Sequence, residues 1–565
     1  MVRALHKQCS PYATTSPSSS SGQPAPKRQR IQHSPSQSQC TTVSIPSSPA
    51  QHQPQQDVAA EQSPSHQKTL DAFLADVRTQ FEAPLDRDRL LSFSQQIQTE
   101  CRERLAESDI SMLPSYQHTL PTGEERGDFL ALDVGGSTLR VALIRLDGKG
   151  RDGDDGGSDD GMEIRRTRKF DINEKIRKLQ GEAFFDWMAA RIEEMLLEHG
   201  HIPVDGVTPT SPLPMGLAWS FPVEQTSPRS GKLLAMGKGF CATHGVEGQD
   251  LSELIMRACT RRGLPVEMRA IVNDGAATLL AQTYRDPTTR MSLILGTGTN
   301  ACVFLPVHAL GAEKFGTRPE SWFAAATHVL VNTELSMLGR EALPTTGWDD
   351  DLNAQHRLPD FQPLEYLTTG RYLGEIVRLI LLDAIANAGL FAGRIPSGLD
   401  EAYTLDTRNL AAFEADSSAA GLEKAAAAFL EAHPIADAAS TPATSTAASS
   451  PSTADWRFVR SITRLVTHRA AAYLATALHA LWRIRTQSED DFQQSIDAHA
   501  DNESHISVAC HGTIAEQYPG YRDRCQRYLD DLCGAAPGTV TLAVAPESSI
   551  FGAAVAVGCM EGREG

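Results

Sequence analysis

FLALDVGGSTLRVALIRL, residues 129–146, reads as two apolar runs joined by a Gly-Gly-Ser turn. Short continuous apolar stretches bounded by turn residues are the pattern of buried strands. Gly135 and Gly136 let backbone N–H groups come close to a phosphate, and Ser137 and Thr138 add hydroxyls. Asp133, at the strand end, can hold Mg²⁺ through water, because hard cations prefer oxygen ligands. SLILGTGTNACVFL, residues 292–305, repeats the arrangement around Gly296, Thr297 and Gly298. Either stretch alone is an ordinary hairpin. Two of them, one in each half, are what a nucleotide clamped between two domains requires.

Outward from these hairpins, strands alternate with helices. EIRRTRKFDI (163–172) continues the first hairpin as a third strand. Phe184, Phe185, Met188, Ile192, Met195 and Leu196 recur at helical spacing over about 181–199. Further strands are expected at 214–220 and 269–273, and long helices at 361–391 and 456–485. The last part reads strand 505–510, helix 513–533, strand 538–544 and helix 548–560. This order predicts an α/β fold of two similar domains around a cleft.

Residues 1–68 are rich in Ser, Gln, Pro and His and too poor in apolar side chains to offset chain entropy; disorder is expected there. Lys27, Arg28 and Arg30 form a short basic cluster, which allows a nuclear fraction beside a cytoplasmic one. Residues 148–161 and 436–454 read as low-complexity insertions, and 489–503 as an acidic loop. These loops carry much of the net charge of −18, from 70 acidic and 52 basic side chains. The balance weighs against a nucleic-acid partner without pointing to a substrate. No apolar run reaches about 18 residues, so no membrane span is expected, and the N-terminus lacks the apolar core of a secretory signal. The 10 Cys include no CxxC pair, the usage of reduced cytoplasmic thiols. Cys302 is expected to be a packed strand thiol, and the His spacing offers no zinc site.

Val272-Asn273-Asp274-Gly275 stands at a strand end before the helical run AATLLAQTY. A carboxylate there can face a cleft and accept the proton of an attacking hydroxyl in phosphoryl transfer. The same position also suits a plain helix cap.

The stretch MGLAWSFPVEQTSPRSGKLLAMGKGF (215–240) narrows the choice. It contains Ser220-Phe221-Pro222, Gln225, Gly231-Lys232-Leu233 and Lys238-Gly239-Phe240 in that order. In this it resembles the sugar-binding signature of the hexokinase family. The other motifs follow in the family's order: LDVGGSTLR, VNDGAATLLAQTY, GTGTNACVF, Asn332-Thr333-Glu334, QPLEYLTTGRYLGE (362–375), Cys510-His511-Gly512-Thr513, and Ser549 to Ala554. The resemblance covers about residues 70–560.

The resemblance implies a two-domain, actin-like (ribonuclease H-like) ATPase fold with a central cleft. Residues 70–124 would begin the large domain and hinge, 125–272 form the small domain, 273–547 the large domain, and 548–565 a helix returning to the small one. A hexose would lie between Ser220, Phe221 and Lys238 on one side and Asn300, Glu334, Gln362 and Glu365 on the other. Asn273 and Asp274 would stand at the hinge, with Asp274 the general base on the sugar 6-hydroxyl and Lys238 offsetting charge on the transferred group. Asp133 would act on Mg²⁺, and Gly135, Gly136, Ser137, Thr138, Arg140, Thr297, Gly370 and Thr513 on ATP. The implied partners are a hexose and ATP, with no nucleic acid and no membrane, in a monomer or weak homodimer.

The chain departs from the family pattern at Gly237, where Thr is usual, and at Thr138, Leu335, His511 and Ile550. Space beside Gly237 suits a 2-substituted hexose such as N-acetylglucosamine, and the chain resembles the divergent fungal N-acetylglucosamine kinase branch. The alternative is a catalytically weak regulatory or sugar-sensing relative. The retained Lys238, Asp274, Asn300, Glu334 and Glu365 favour an enzyme.

Overall fold

A computed structural model of the chain describes residues 68–149, 161–197, 211–236, 239–418, 422–435, 450–496, 505–534 and 538–561. Its strands are β1 (Leu113–Pro114), β2 (Arg126–Val134), β3 (Thr138–Asp147), β4 (Met162–Asp171), β5 (Leu213–Trp219), β6 (Val223–Ser227), β7 (Ser230–Leu233), β8 (Val266–Val272), β9 (Thr289–Leu295), β10 (Thr299–Pro306), β11 (His328–Asn332), β12 (Ile506–His511) and β13 (Val540–Val544). β6 and β7 form a separate hairpin. The others build two sheets, in the orders β4-β3-β2-β5-β8 and β1-β11-β10-β9-β12-β13.

Leaving β1 aside, the two sheets share one topology. In the first, β2 pairs antiparallel with β3 and β3 with β4, whereas β2·β5 and β5·β8 are parallel. In the second, β9·β10 and β10·β11 are antiparallel and β9·β12 and β12·β13 parallel. Each sheet thus opens on one of the two Gly-turn hairpins, with Val134 opposite Leu139 and Leu295 opposite Thr299. This duplicated order is the actin-like ATPase fold.

Two helices, Asp274–Arg285 and Ser548–Glu561, pack together with residues of both sheets. Ala277, Leu280 and Tyr284 from one and Ile550, Ala554 and Val557 from the other share a core with Ala131 and Ala142 of the first sheet and Cys302 and Leu330 of the second. The crossing is close because position 552 is glycine: a Cβ there would lie 1.9 Å from the Ala277 carbonyl oxygen.

Several expected elements change. The helix expected at 361–391 is two helices, Pro363–Thr368 and Gly370–Ala388, because Thr369 is extended (φ −110°, ψ 161°). The helix expected at 513–533 breaks into Thr513–Gln517 and Tyr521–Cys533, with Gly520 left-handed between them. The helix expected at 456–485 runs from Thr453 to Ser495, opened by a reciprocal cap between Ser452 and Asp455. Glu489, Asp490 and Asp491 therefore lie on this helix and not in an acidic loop. Glu489 is held there by His328 Nε2 at 3.1 Å and by Arg485. The remainder of that segment, Asp497, Asp501 and Glu503, lies outside the described residues, as do 1–67, 150–160 and 436–449. The ends of the first insertion are tied together: Asp147 donates to the Gly161 carbonyl at 3.0 Å, and Gly148 donates to the Tyr284 hydroxyl at 2.9 Å.

Helices Leu70–Glu82 and Arg87–Glu107 cover the long helix Thr453–Ser495. Within that contact the His479 Nδ1 lies 2.8 Å from the Ser94 hydroxyl. Burial, with the Arg483 and Arg87 charges, pushes His479 down from 6.5 to about 4. The unfolded chain therefore binds the extra proton first as pH falls, and stability declines through that window. An acid-induced loss of at most about 3 kcal/mol between pH 6.5 and pH 4 is expected from this residue. Urea titrations of wild type and His479→Gln across that range check it, because the variant loses this component. No helix among the described residues is long and apolar enough to cross a membrane.

Candidate active site

β8 ends at Val272, and Asn273 turns the chain into a helix. Its φ/ψ of −80°/167° is extended, and its Oδ1 accepts the Ala276 N–H at 2.7 Å. Asp274 is the first helical residue. It is half-buried, and its Oδ1 accepts the Gly275 N–H at 2.8 Å. Both expected readings of this motif are therefore present side by side, with Asn273 as the cap and the Asp274 carboxylate at the helix entrance. The Cys302 thiol of β10 lies 3.5 Å from Asn273 Oδ1. Burial, then the charges of Asp274 and Glu334, pushes that thiol well above its usual range. Cys302 is a buried strand thiol, as expected, and it packs against the helix entrance, where a Cβ on Gly275 would lie 3.0 Å from its Sγ.

A ladder of amides and carboxylates extends from this point. Asn300 Nδ2 donates to Asn332 Oδ1 at 2.9 Å, and Asn332 Nδ2 donates to Glu334 Oε1 at 2.8 Å. Glu334 adopts a left-handed backbone (φ 50°), rare for a non-glycine residue and a common mark of functional turns. Glu365 Oε2 accepts the Thr299 N–H at 3.0 Å, and Gln362 Nε2 reaches Ser336 Oγ at 3.5 Å. Asn300, Glu334 and Glu365 thus gather at the same end of the second sheet as Asp274. Asn332 fixes Asn300 and Glu334; as the first residue of Asn-x-Glu it was legible as a motif member but not as the link between them. Close approach of Glu365 depends on Gly298, where a Cβ would lie 2.6 Å from Glu365 Oε2. Gly298→Ala must displace that carboxylate, and a misplacement near 1 Å can cost about 10²-fold. A fall of about that size in kcat/KM for the sugar, measured by coupled assay, is expected.

Both Gly turns are laced from behind. In the second, Gly370 N donates to Gly296 O at 2.9 Å, and Thr369 Oγ1 and Arg371 N donate to Thr297 O at 3.0 and 3.3 Å. A Cβ on Gly296 would stand 3.7 Å from the Thr513 hydroxyl, so Thr297, Gly370 and Thr513 are neighbours. In the first turn, Gly135 N donates to Thr138 O at 3.0 Å and Ile172 N to Ser137 O at 2.8 Å. The carbonyls are occupied, and the N–H groups of Gly136, Ser137, Thr297 and Gly298 have no partner among the described residues. Outward-facing N–H groups in Gly turns form a cradle for anionic oxygens.

Asp133 is not a bare carboxylate. Its Oδ2 accepts from Arg140 Nε at 2.9 Å and Nη2 at 2.7 Å, and Arg140 also pairs with Glu547. His511 Nδ1 sits 2.8 Å from Glu516 Oε1, which also accepts the Gly512 N–H. Arg371 is a cation the sequence reading missed. It is exposed, lies over the rings of Tyr403 (5.1 Å) and Tyr372 (5.9 Å), and has no carboxylate partner among the described residues. Its signal was its place directly after Gly370.

On the first sheet, Ser220 N donates to Val134 O at 3.1 Å, which sets Ser220 beside the end of β2. Phe221 is buried against Phe240 (4.9 Å) and Trp219 (5.2 Å), a packing position rather than a polar one. Gln225 accepts the Tyr116 N–H at 3.3 Å and donates to Ile271 O at 2.7 Å, tying β6 to the entry segment and to β8. Gly237 and Lys238 lie outside the described residues.

Two matching sheets, each presenting a Gly cradle, with a carboxylate and an amide ladder beside them, define a phosphotransferase acting on a polyhydroxylated acceptor. Two family models, both described as hexokinase, match residues 74–284 and 290–559. The hexokinase of Kluyveromyces lactis is 30% identical over 427 residues, covering 75% of this chain and 78% of that protein. Hexokinase-2 of Saccharomyces cerevisiae is 26% identical over 433 residues, again 75% and 78%. A hexokinase from Schistosoma mansoni complexed with glucose superposes with a TM-score of 0.66 at 25% identity, over 87% of this chain and 100% of that one. The chain belongs to the hexokinase family.

Proposed function

We infer that the residues gathered above carry out the family's reaction in this chain, an ATP-dependent phosphotransfer to a hexose, and we assign them as follows. The acceptor is bound by the amide and carboxylate ladder, Asn300, Glu334, Gln362 and Glu365, with Ser220, Phe221, Asn273 and Lys238 contributing from the other side. A ring of hydroxyls matched by buried hydrogen-bonding groups gives strong discrimination, because a wrong sugar leaves those groups unpaired. Asp274 accepts the proton of the attacking 6-hydroxyl. Lys238 offsets charge on the transferred phosphoryl group. The N–H groups of Gly136, Ser137, Thr297 and Gly298, with Gly135, Thr138, Arg140, Gly370 and Thr513 around them, position the ATP phosphates. Acceleration then comes mainly from positioning and electrostatics.

No group of three metal-ligating side chains occurs among the described residues. A single hard carboxylate, Asp133, held by Arg140 beside the first cradle, fits Mg²⁺ arriving on the nucleotide and contacted through water. When bound, Mg²⁺ neutralises charge on the phosphates; Arg140 and Asp133 orient that side of the site. The 125–272 and 273–547 portions are read as lobes that close on the substrates, which suppresses transfer to water. The chain is read as cytoplasmic and as a monomer or weak homodimer.

The observation that carries the assignment is the convergence of Asp274, Asn300, Glu334 and Glu365 beside one Gly cradle. A coupled ATP assay with glucose, mannose, fructose and N-acetylglucosamine tests it. Turnover with at least one sugar is expected, and the ranking identifies the hexose. Sugar binding with no turnover on any of them favours the regulatory alternative.

A further inference from the structure

Arg177 stands outside every motif discussed above. It ends the short helix Glu174–Arg177, which follows β4. Three contacts give it an unusual position. Its Nη2 donates to the Gly136 carbonyl at 3.0 Å, so it grips the first phosphate turn from behind. Its guanidinium lies over the Phe240 ring at 5.8 Å, and its own carbonyl accepts the Cys241 N–H at 2.8 Å. Phe240 in turn packs edge-on to Phe221 at 4.9 Å, in the segment read as sugar-binding. One residue therefore touches both the nucleotide cradle and the acceptor segment.

The electrostatics are uneconomical for a purely structural arginine. No carboxylate stands at ion-pair distance from Arg177 among the described residues, Glu174 acting on it only through longer-range charge, and its Nε is buried without a hydrogen-bond acceptor. Its nearest compensation is one carbonyl, one aromatic face and the more distant charge of Glu174 on the same helix, and such a half-buried cation is further stabilised when an anion arrives nearby. The Gly136 and Ser137 carbonyls are taken, one by Arg177 and one by Ile172, and the N–H groups of the same two residues have no partner among the described residues and are left to bind an anion.

We propose that Arg177 is a positioning residue that couples the two substrate sites: it locks the Gly135–Ser137 turn to Phe240, so that hexose bound beside Phe221 and Phe240 raises affinity for the nucleotide. The proposal rests on the site assignment above. It is specific to this side chain, because lysine preserves a donor to Gly136 but loses the planar face on Phe240.

The test is a set of binding measurements on the full-length protein. The dissociation constant of a non-hydrolysable ATP analogue is measured by calorimetry with and without saturating hexose, in wild type, Arg177→Met, Arg177→Lys and Phe240→Leu. In wild type the hexose tightens analogue binding. Arg177→Met is expected to weaken the analogue about tenfold and to bring the effect of hexose close to one-fold, while the hexose constant without nucleotide stays within about twofold. Arg177→Lys recovers part of the analogue affinity but not the coupling. Phe240→Leu loses the coupling with the Gly136 contact intact, and combining it with Arg177→Met removes no further coupling. Coupling undiminished in Arg177→Met, or absent from wild type, overturns the proposal. So does a parallel loss of analogue affinity, hexose affinity and thermal stability, which is the mark of a merely structural arginine. These are binding readouts, so a wild type that binds both ligands without transferring phosphate counts against the kinase assignment and not against the coupling.

Discussion

Replacing Asp274 with alanine is expected to cost about 10²–10⁴ in kcat, the range of a positioned general base, while hexose affinity changes little. The reasoning starts from geometry. Asp274 follows the helix-capping Asn273, and the cap is made by Asn273 Oδ1, so the helix keeps its cap when Asp274 is truncated. The polar ladder that meets the sugar, Asn300 to Asn332 to Glu334, is also built without Asp274. The variant therefore separates binding from proton transfer. Calorimetry with hexose and a steady-state assay on the same preparation measure the two parts. Near-normal kcat in the variant removes Asp274 from the role of base; loss of hexose binding together with turnover makes it a binding residue instead.

The largest effect on stability is expected at Asp349. Its carboxylate takes two charge-assisted bonds of 2.6 Å from Arg469 and also caps Thr346 through N–H and hydroxyl at 2.7 Å. Arg469 is 1% exposed and lies 4.1 Å from the Phe81 ring centroid. Breaking such a pair from one side leaves a buried charge uncompensated, at a cost of about 3–5 kcal/mol. Asp349→Ala should show a markedly lower apparent Tm and urea midpoint. Arg469→Met together with Asp349→Ala should recover part of the loss, because no charge then remains buried. Unchanged Tm in the single variant contradicts this reading of the pair.

Much of the fold was legible because its deciding pieces are local. Apolar runs on either side of Gly135-Gly136 and of Gly296-Thr297-Gly298 announce hairpins, and both form with the expected turns. What was not legible depends on distant partners. Glu489 to Asp491 read as a loop from charge alone, but His328, far away in sequence, holds Glu489 and the helix continues. The break at Thr369 is set by its hydroxyl bonding the Thr297 carbonyl across the site. The pairing of Asp133 with Arg140 was not legible either, because it appears only once β2 lies against β3. In the candidate site, Asn300, Glu334 and Glu365 were legible as motif members. The link that Asn332 makes between Asn300 and Glu334, and the bond from Arg177 to the Gly136 carbonyl, join residues far apart in sequence, and spacing carries no mark of them.

The most direct measurement is a single turnover with γ-labelled ATP and hexose, following label into sugar and into inorganic phosphate, in wild type and Asp274→Ala at equal hexose occupancy. Wild type is expected to place the label on the sugar 6-hydroxyl with little release to water, and the variant to hold the sugar with label remaining in ATP. Label appearing in inorganic phosphate at the same rate with or without sugar, or equal transfer by the two proteins, would contradict a hexose kinase that uses Asp274 as its base.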